Sequence, residues 1–154
     1  MCPNREDRFI DRLLEWYDSH GRHDLPWRAS DAAPFEVLVA EIMLQQTSVG
    51  QGLGVYPEFV ERYPGPTAIV DTAEGDLAEE IRPLGLSKRV KYFTRVCEQI
   101  PEGHDGSVPT ETSDLLKLHG VGEYTARSVL AHAHGEDMPA VDTNVERVLS
   151  RAFE

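Results

Sequence analysis

Apolar residues recur along this chain mostly at three- and four-residue intervals, the spacing of helices with one buried stripe. Phe9, Leu13, Trp16 and Tyr17 share one such face, and His20-Gly21 ends it. Asp31 is placed to cap, and Pro34 to open, a second helix. Val55, Phe59 and Val60 mark another, closed by Tyr63-Pro64-Gly65-Pro66. Ala68 to Ile81 reads as two short helices, with Thr72 capping the second. Ser87 can cap a helix whose Val90, Phe93, Val96 and Ile100 form the buried stripe. After the loop Gly103–Pro109 come a short helix, Glu111–Leu118, and another starting at about Gly122, packed by Val129, Leu130 and Ala133 and stopped by Gly135. A last helix bears Val145, Val148, Leu149 and Ala152, and its apolar stripe still runs at Glu154, which predicts a truncated domain. The pattern as a whole predicts an all-α chain.

One stretch breaks the rule of a single stripe. Val37 to Leu44 is apolar except for Glu41. A lone ionised carboxylate in a core is costly unless it is paired or protonated. A carboxylic acid kept protonated near neutral pH can serve as a general acid. The competing reading puts Glu41 on the one exposed stripe of a buried helix, and this stretch alone favours that reading. Gln45-Gln46-Thr47 follows directly; uncharged amides at a helix end can read nucleotide bases, and they are also commonly just solvated. Leu25-Pro26-Trp27-Arg28 is an ordered loop that suits a structural corner or a ligand contact equally well.

Charge narrows the picture. The net charge is -12 and the pI about 4.9, which argues against nucleic-acid binding by bulk charge. Arg82 to Val96 nevertheless holds five of the 15 cations (Arg82, Lys88, Arg89, Lys91, Arg95) and none of the 27 acids. A locally basic helix on so acidic a chain sets its field against the whole. Such acidity is also the composition of proteins that live at high salt. Cys2 and Cys97 have no CxxC partner, and no apolar run is long enough to span a membrane, so a soluble intracellular protein is expected.

Two glycines carry the strongest local signal. In Leu118-His119-Gly120-Val121-Gly122-Glu123-Tyr124-Thr125-Ala126 they make a tight turn between helices, and the exposed N–H groups after Gly122 can approach a phosphate. Helix–GVG–helix followed by Thr125 and Ala126 is the helix-hairpin-helix pattern that grips a DNA backbone. Asp142 precedes the last helix, where it serves as an N-cap or as a carboxylate kept ionised by the helix terminus. His119, His132 and His134 do not make a metal site, since the latter two face different sides of a helix.

These pieces resemble the helix-hairpin-helix (HhH-GPD) DNA glycosylase superfamily, which includes endonuclease III and the mismatch adenine glycosylase MutY. The resemblance runs from about Leu25 to Ala152 and rests on LPWR (Leu25–Arg28), EIMLQQT (Glu41–Thr47), LHGVGEYTA (Leu118–Ala126) and VDTNVERVLSR (Val141–Arg151). Asp142 stands 20 positions after Gly122, about the family interval. Endonuclease-III-type enzymes carry a lysine nucleophile where this chain has Tyr124. Glu41 matches the acidic residue of MutY and of the archaeal thymine–guanine mismatch glycosylases, and Gln45-Gln46-Thr47 is the MutY-like wording. Leu86-Ser87 looks more like the thymine–guanine enzymes, and His119 replaces the usual proline of the hairpin.

The resemblance implies an all-α fold, with a six-helix barrel domain over 30–139 and its hairpin at about 112–135. Residues 1–29 and 140–154 would be parts of a second, discontinuous helical domain. It implies a monofunctional, mismatch-specific glycosylase of base excision repair, adenine opposite G or 8-oxoG favoured over thymine or uracil opposite G, without a lysine-based lyase step. Glu41 would be the acid, Asp142 the ionised partner and Tyr124 a wall of the base pocket. Arg28, Gln45, Gln46, Thr47, Lys88, Arg89, Gly120, Gly122 and Thr125 would contact DNA. The partner is double-stranded DNA with a mismatched or damaged base, met by a cytoplasmic, nucleoid-associated monomer. Relatives hold a [4Fe–4S] cluster whose four cysteine ligands would lie beyond Glu154, so this chain itself is expected to bind no cofactor. The rival expectation is a noncatalytic DNA-binding remnant that keeps the hairpin and loses activity.

Overall fold

A computed structural model describes residues 4–85, 88–104 and 106–153, with the side chains of Lys88 and of 101–104 left aside. Helices and short 3-10 turns account for all regular structure among these residues. Ser87 and Leu86 lie outside the described residues.

The organising element is α2 (Pro34–Leu44), in which Phe35, Val37, Leu38, Val39, Ala40, Ile42 and Met43 are all buried. A helix apolar on nearly every side needs neighbours on nearly every side. α4 (Tyr56–Arg62), α7 (Lys88–His104) and α9 (Glu123–Ala133) supply them. The stripe Val90, Phe93, Val96 and Ile100 of α7 is buried as its spacing predicts, with the Phe93 ring 5.1 Å from that of Phe59 on α4. α5 (Pro66–Val70) packs along α7, and α6 (Glu74–Ile81) buries Leu77 and Ile81 beside it. α8 (Thr112–Leu115) and α9 form the hairpin.

Helix starts differ from expectation in two places. α2 begins after Ala33, whose N–H is taken by Glu36 Oε2 at 3.0 Å, so Asp31 is not its cap. α6 begins after Ala73, because the Thr72 hydroxyl turns back to Ala68 O at 2.8 Å. Both threonine and aspartate have a choice of local acceptors or donors, and here α6 uses none of them. One helix was not expected at all. α3 (Val49–Leu53) carries two glycines, yet Ser48 and Gln51 close a reciprocal capping box at its start. α7 extends to His104, into the stretch expected as loop, and α8 is confined to Thr112–Leu115.

The two ends of the chain lie side by side. α1 (Arg5–His20) and α10 (Thr143–Phe153) meet where the Phe9 and Phe153 rings stand 5.1 Å apart, edge to face. Arg5 also donates to Ala152 O at 2.5 Å. No described residue of either helix is buried, and Leu13, Leu14, Trp16, Val148 and Leu149 are exposed. No helix among the described residues is long and apolar enough to cross a membrane.

Candidate active site

A cleft of about 720 Å³ opens between the C-terminal end of α1, the Trp27–Arg28 turn, α2 and α9. Glu41, Tyr124 and Asp142, far apart in sequence, all line it. Glu41 comes from α2, on the one face of that helix not covered by core. Tyr124 and Ser128 are one turn apart on α9 and therefore share a face toward it. Asp142 sits immediately before α10.

The two carboxylates are held in opposite ways. Glu41 is half-buried, and burial pushes its pKa up; a hydrogen bond from Ser128 and the charge of Arg28 pull against that rise. Ser128 is itself buried, and its hydroxyl donates to Glu41 Oε1 at 2.7 Å. Asp142 is pulled down, first by the backbone N–H of Val145 and next by the Asn144 side chain. Its Oδ1 accepts from Val145 N at 2.8 Å and from Asn144 N at 2.9 Å, and its Oδ2 from Asn144 Nδ2 at 2.8 Å. It is an N-cap and an ionised carboxylate at once, so the two sequence readings describe one arrangement.

Tyr124 registers both charges. Its phenol is pushed up by burial, then by Glu41 and Asp142, against Arg28 and Ser128. His132, one turn beyond Ser128 on the same face, is pushed down by burial and by Arg28. The arrangement therefore offers one carboxyl that keeps its proton more readily than usual and one that gives it up more readily. Two carboxyls with opposed proton affinities can in general divide the roles of acid and of ionised stabiliser between them.

Beside the cleft, two amide side chains fasten the hairpin. Gln45, at the end of α2, donates to Gly120 O at 3.1 Å. Gln99 of α7 accepts from His119 N at 2.7 Å and donates to Lys117 O at 3.1 Å. Gly120 takes φ 78°, a left-handed conformation that favours glycine. At the start of α9, Gly122 gives no side-chain cap, and the space where its Cβ would stand is open. The first-turn N–H groups of α9 thus meet no side-chain acceptor from their cap, the condition for an anion to approach.

The expected DNA-contacting residues divide. Arg28, Gln46, Gly120 and Gly122 are exposed, and so are Lys91 and Arg95 on α7. Gln46 has φ 60°, rare for a residue with a Cβ. Thr125 is buried, and the Thr47 hydroxyl folds back onto Met43 O. Arg89 is the clear correction: it is 1% exposed and points inward, not to the surface. Its guanidinium donates to Leu84 O at 2.9 Å and to Gln45 O. One basic residue of the stretch thus belongs to the core. The Lys88 side chain lies outside the described residues.

Sequence reasoning missed Ser128, Gln99 and the contribution of Trp16, Tyr17 and His20 to the cleft. For Ser128 a signal existed. It shares the packed side of α9 with Ala126, Val129 and Leu130, and buried polar groups find partners.

The residues present do not supply the ligands of an iron–sulfur cluster. Cys97 is buried in the core with its thiol pushed up to about 12 by burial, and Cys2 lies outside the described residues. Among the described residues no group of three His, Cys, Asp or Glu is arranged to hold a metal ion.

Comparison with known proteins matches this geometry to a family. Residues 39–154 match the model of the HhH-GPD superfamily base excision DNA repair proteins. The chain is 40% identical over 143 residues to a thymine-DNA glycosylase of Aeropyrum pernix, covering 92% of this chain and 64% of that protein. It is 40% identical over 140 residues to an adenine DNA glycosylase of Mycobacterium tuberculosis, covering 91% of this chain and 46% of that protein. A solved thermostable thymine-DNA glycosylase superposes with a TM-score of 0.88 at 29% identity, over 94% of this chain and 66% of that one. Endonuclease III in a non-covalent DNA complex superposes with a TM-score of 0.81 at 28% identity, over 96% of this chain and 68% of that one. The chain therefore spans less than two thirds of the curated relatives it matches. The sequence motifs, the helical fold and these matches agree: this chain belongs to the HhH-GPD superfamily of base excision DNA repair proteins.

Proposed function

We propose that this chain is the catalytic part of a monofunctional DNA glycosylase that removes a mismatched base by hydrolysing its N-glycosidic bond. The observation that carries the reading is the pair of carboxyls on one cleft with opposed proton affinities, Glu41 raised and Asp142 lowered. A base cannot be reached inside a duplex, so the target nucleotide is flipped into the cleft. Glu41 donates its proton to the departing base, and the bond to the sugar breaks with positive charge growing on the sugar ring. Asp142, kept ionised at the start of α10, stabilises that cation while water adds.

Other residues support the same reading. Tyr124 forms a wall of the pocket, and no described residue lining the cleft is a lysine, so no amine is at hand for a Schiff base. The start of α9 holds a phosphate through its free N–H groups. Arg28, Lys91 and Arg95 bring positive charge to an acidic surface, and Gln46 stands at the duplex edge. Adenine opposite guanine or 8-oxoguanine is the first candidate substrate, with thymine or uracil opposite guanine next. Relatives named for each activity are equally similar to this chain.

The test is a single-turnover assay of the chain on duplexes carrying A·8-oxoG, A·G, T·G and U·G, with borohydride trapping alongside. Release of one base without a trapped covalent adduct is expected. Duplex binding with no release from any of the four would instead favour a noncatalytic DNA-binding remnant, the reading suggested by the exposed apolar faces of α1 and α10.

A further inference from the structure

Ser128 stands in an unusual position for a serine in a helix. The hydroxyls of Ser19 and Ser150 bond back to carbonyls of their own helices, at 3.2 and 2.9 Å. The Ser128 hydroxyl instead crosses from α9 to α2 and donates to Glu41 Oε1 at 2.7 Å. Ser128 is 2% exposed, so water does not compete readily for that bond. Because only Oε1 is engaged, Oε2 has no hydrogen-bond partner among the described residues and is left for the proton. A serine hydroxyl can donate to a carboxylate or accept from a carboxylic acid, so it can serve Glu41 before and after proton transfer.

We propose that Ser128 is the positioning residue of the site: reaching across the α2–α9 contact, it aims the Glu41 carboxyl into the cleft and governs how readily its proton leaves. The inference rests on the reading of Glu41 as the acid. Its logic is that of a general acid, which works best when its proton affinity lies near the working pH and not far above it. Burial raises the proton affinity of Glu41, and the Ser128 hydroxyl, a donor aimed at the charged form, works against that rise. The other charged or titratable groups lining the cleft with Glu41 are Arg28 from the turn, Tyr124 and His132 from α9, Asp142 before α10, and Tyr17, His20 and Arg22 at the α1 edge. Of these, only Arg28 joins Ser128 in favouring the ionised form of Glu41.

The test reads Glu41 directly. The chain is labelled with 13C at glutamate Cδ, and the resonance missing from Glu41→Gln identifies Glu41. That resonance is titrated in the parent and in Ser128→Ala. Losing a hydrogen bond to the charged form is expected to raise the midpoint by about one pH unit, tenfold in proton affinity. The alkaline limb of the single-turnover rate profile is expected to move up with it, a shift that a merely structural serine would not cause. If Ser128→Ala does not fold, Ser128→Cys keeps the size and weakens the donor, and the same comparison applies. A midpoint unmoved or lowered in a folded variant overturns the proposal. Should Glu41→Gln release base at the parent rate, the reading of Glu41 as acid fails, while the NMR midpoint still decides whether Ser128 governs its proton.

Discussion

Replacing Arg89 with methionine, which keeps the unbranched apolar stem, is expected to destabilise the fold substantially. Arg89 is 1% exposed, and its guanidinium ties the end of α2, through Gln45 O, to the turn at Leu84 O. Its Nε has no hydrogen-bond partner among the described residues, and burial pushes its pKa down, so the cation is held at some cost. Methionine removes that cost but leaves the buried Leu84 carbonyl and the part-buried Gln45 carbonyl without this donor. Each orphan acceptor costs about 1–3 kcal/mol, so two cost about 2–6 kcal/mol, reduced by the relief of guanidinium desolvation. The carbonyls are backbone and cannot be replaced along with the arginine, so the net loss should be about 2–4 kcal/mol. Urea unfolding followed by circular dichroism measures it; with a slope of about 2 kcal/mol/M the midpoint should fall by about 1–2 M. Arg89→Lys should lie between, since one ammonium cannot copy the fork of a guanidinium. A loss below about 1 kcal/mol would refute the reasoning, because it would mean the two carbonyls are satisfied without Arg89.

The site and the hairpin give three further expected outcomes. The folded state raises the Glu41 pKa, so it holds that proton more tightly than the unfolded chain does; stability is unaffected below the unfolded pKa and falls as pH rises through the folded one. Glu41→Gln should therefore melt higher than the parent at pH 7.5, with the difference closing toward pH 4, and an equal difference at both pH values would contradict the assignment. Gly120→Ala places a Cβ at an ordinary 3.5 Å from the Tyr92 ring, so its penalty is that of the positive φ. That penalty is about 1–2 kcal/mol, read as a lowered Tm. Gly122→Ala meets open space at φ -99° and should spare stability while weakening duplex binding in a filter or anisotropy assay.

Much of this was legible in the chain because burial and helix period speak directly through side chains. The α7 stripe and the stop of α9 near Gly135 follow from spacing alone. What spacing does not encode is rotation and partner choice. Arg89 stands in a run of cations and its sequence neighbours do not mark it as inward-facing; only the packed structure shows the Leu84 and Gln45 carbonyls within its reach. Thr72 has a side chain suited to capping, yet the carbonyl of Ala68 wins it. α3 was hidden because Gly50 and Gly52 argue against a helix, and its cap depends on Ser48 and Gln51 together. Glu41, Tyr124 and Asp142 were each visible as residues, but their meeting on one cleft is a tertiary fact, as is the bond from Ser128.

In the proposed mechanism Glu41 and Asp142 act on one bond. The most direct measurement is the single-turnover rate of base release from the duplex the parent cleaves fastest, compared with Glu41→Gln and Asp142→Asn, with duplex affinity measured in parallel. Loss of a positioned acid or of the ionised partner should lower the rate by at least about 100-fold while Glu41→Gln still binds the duplex. Base release by folded Glu41→Gln at the parent rate would contradict the account.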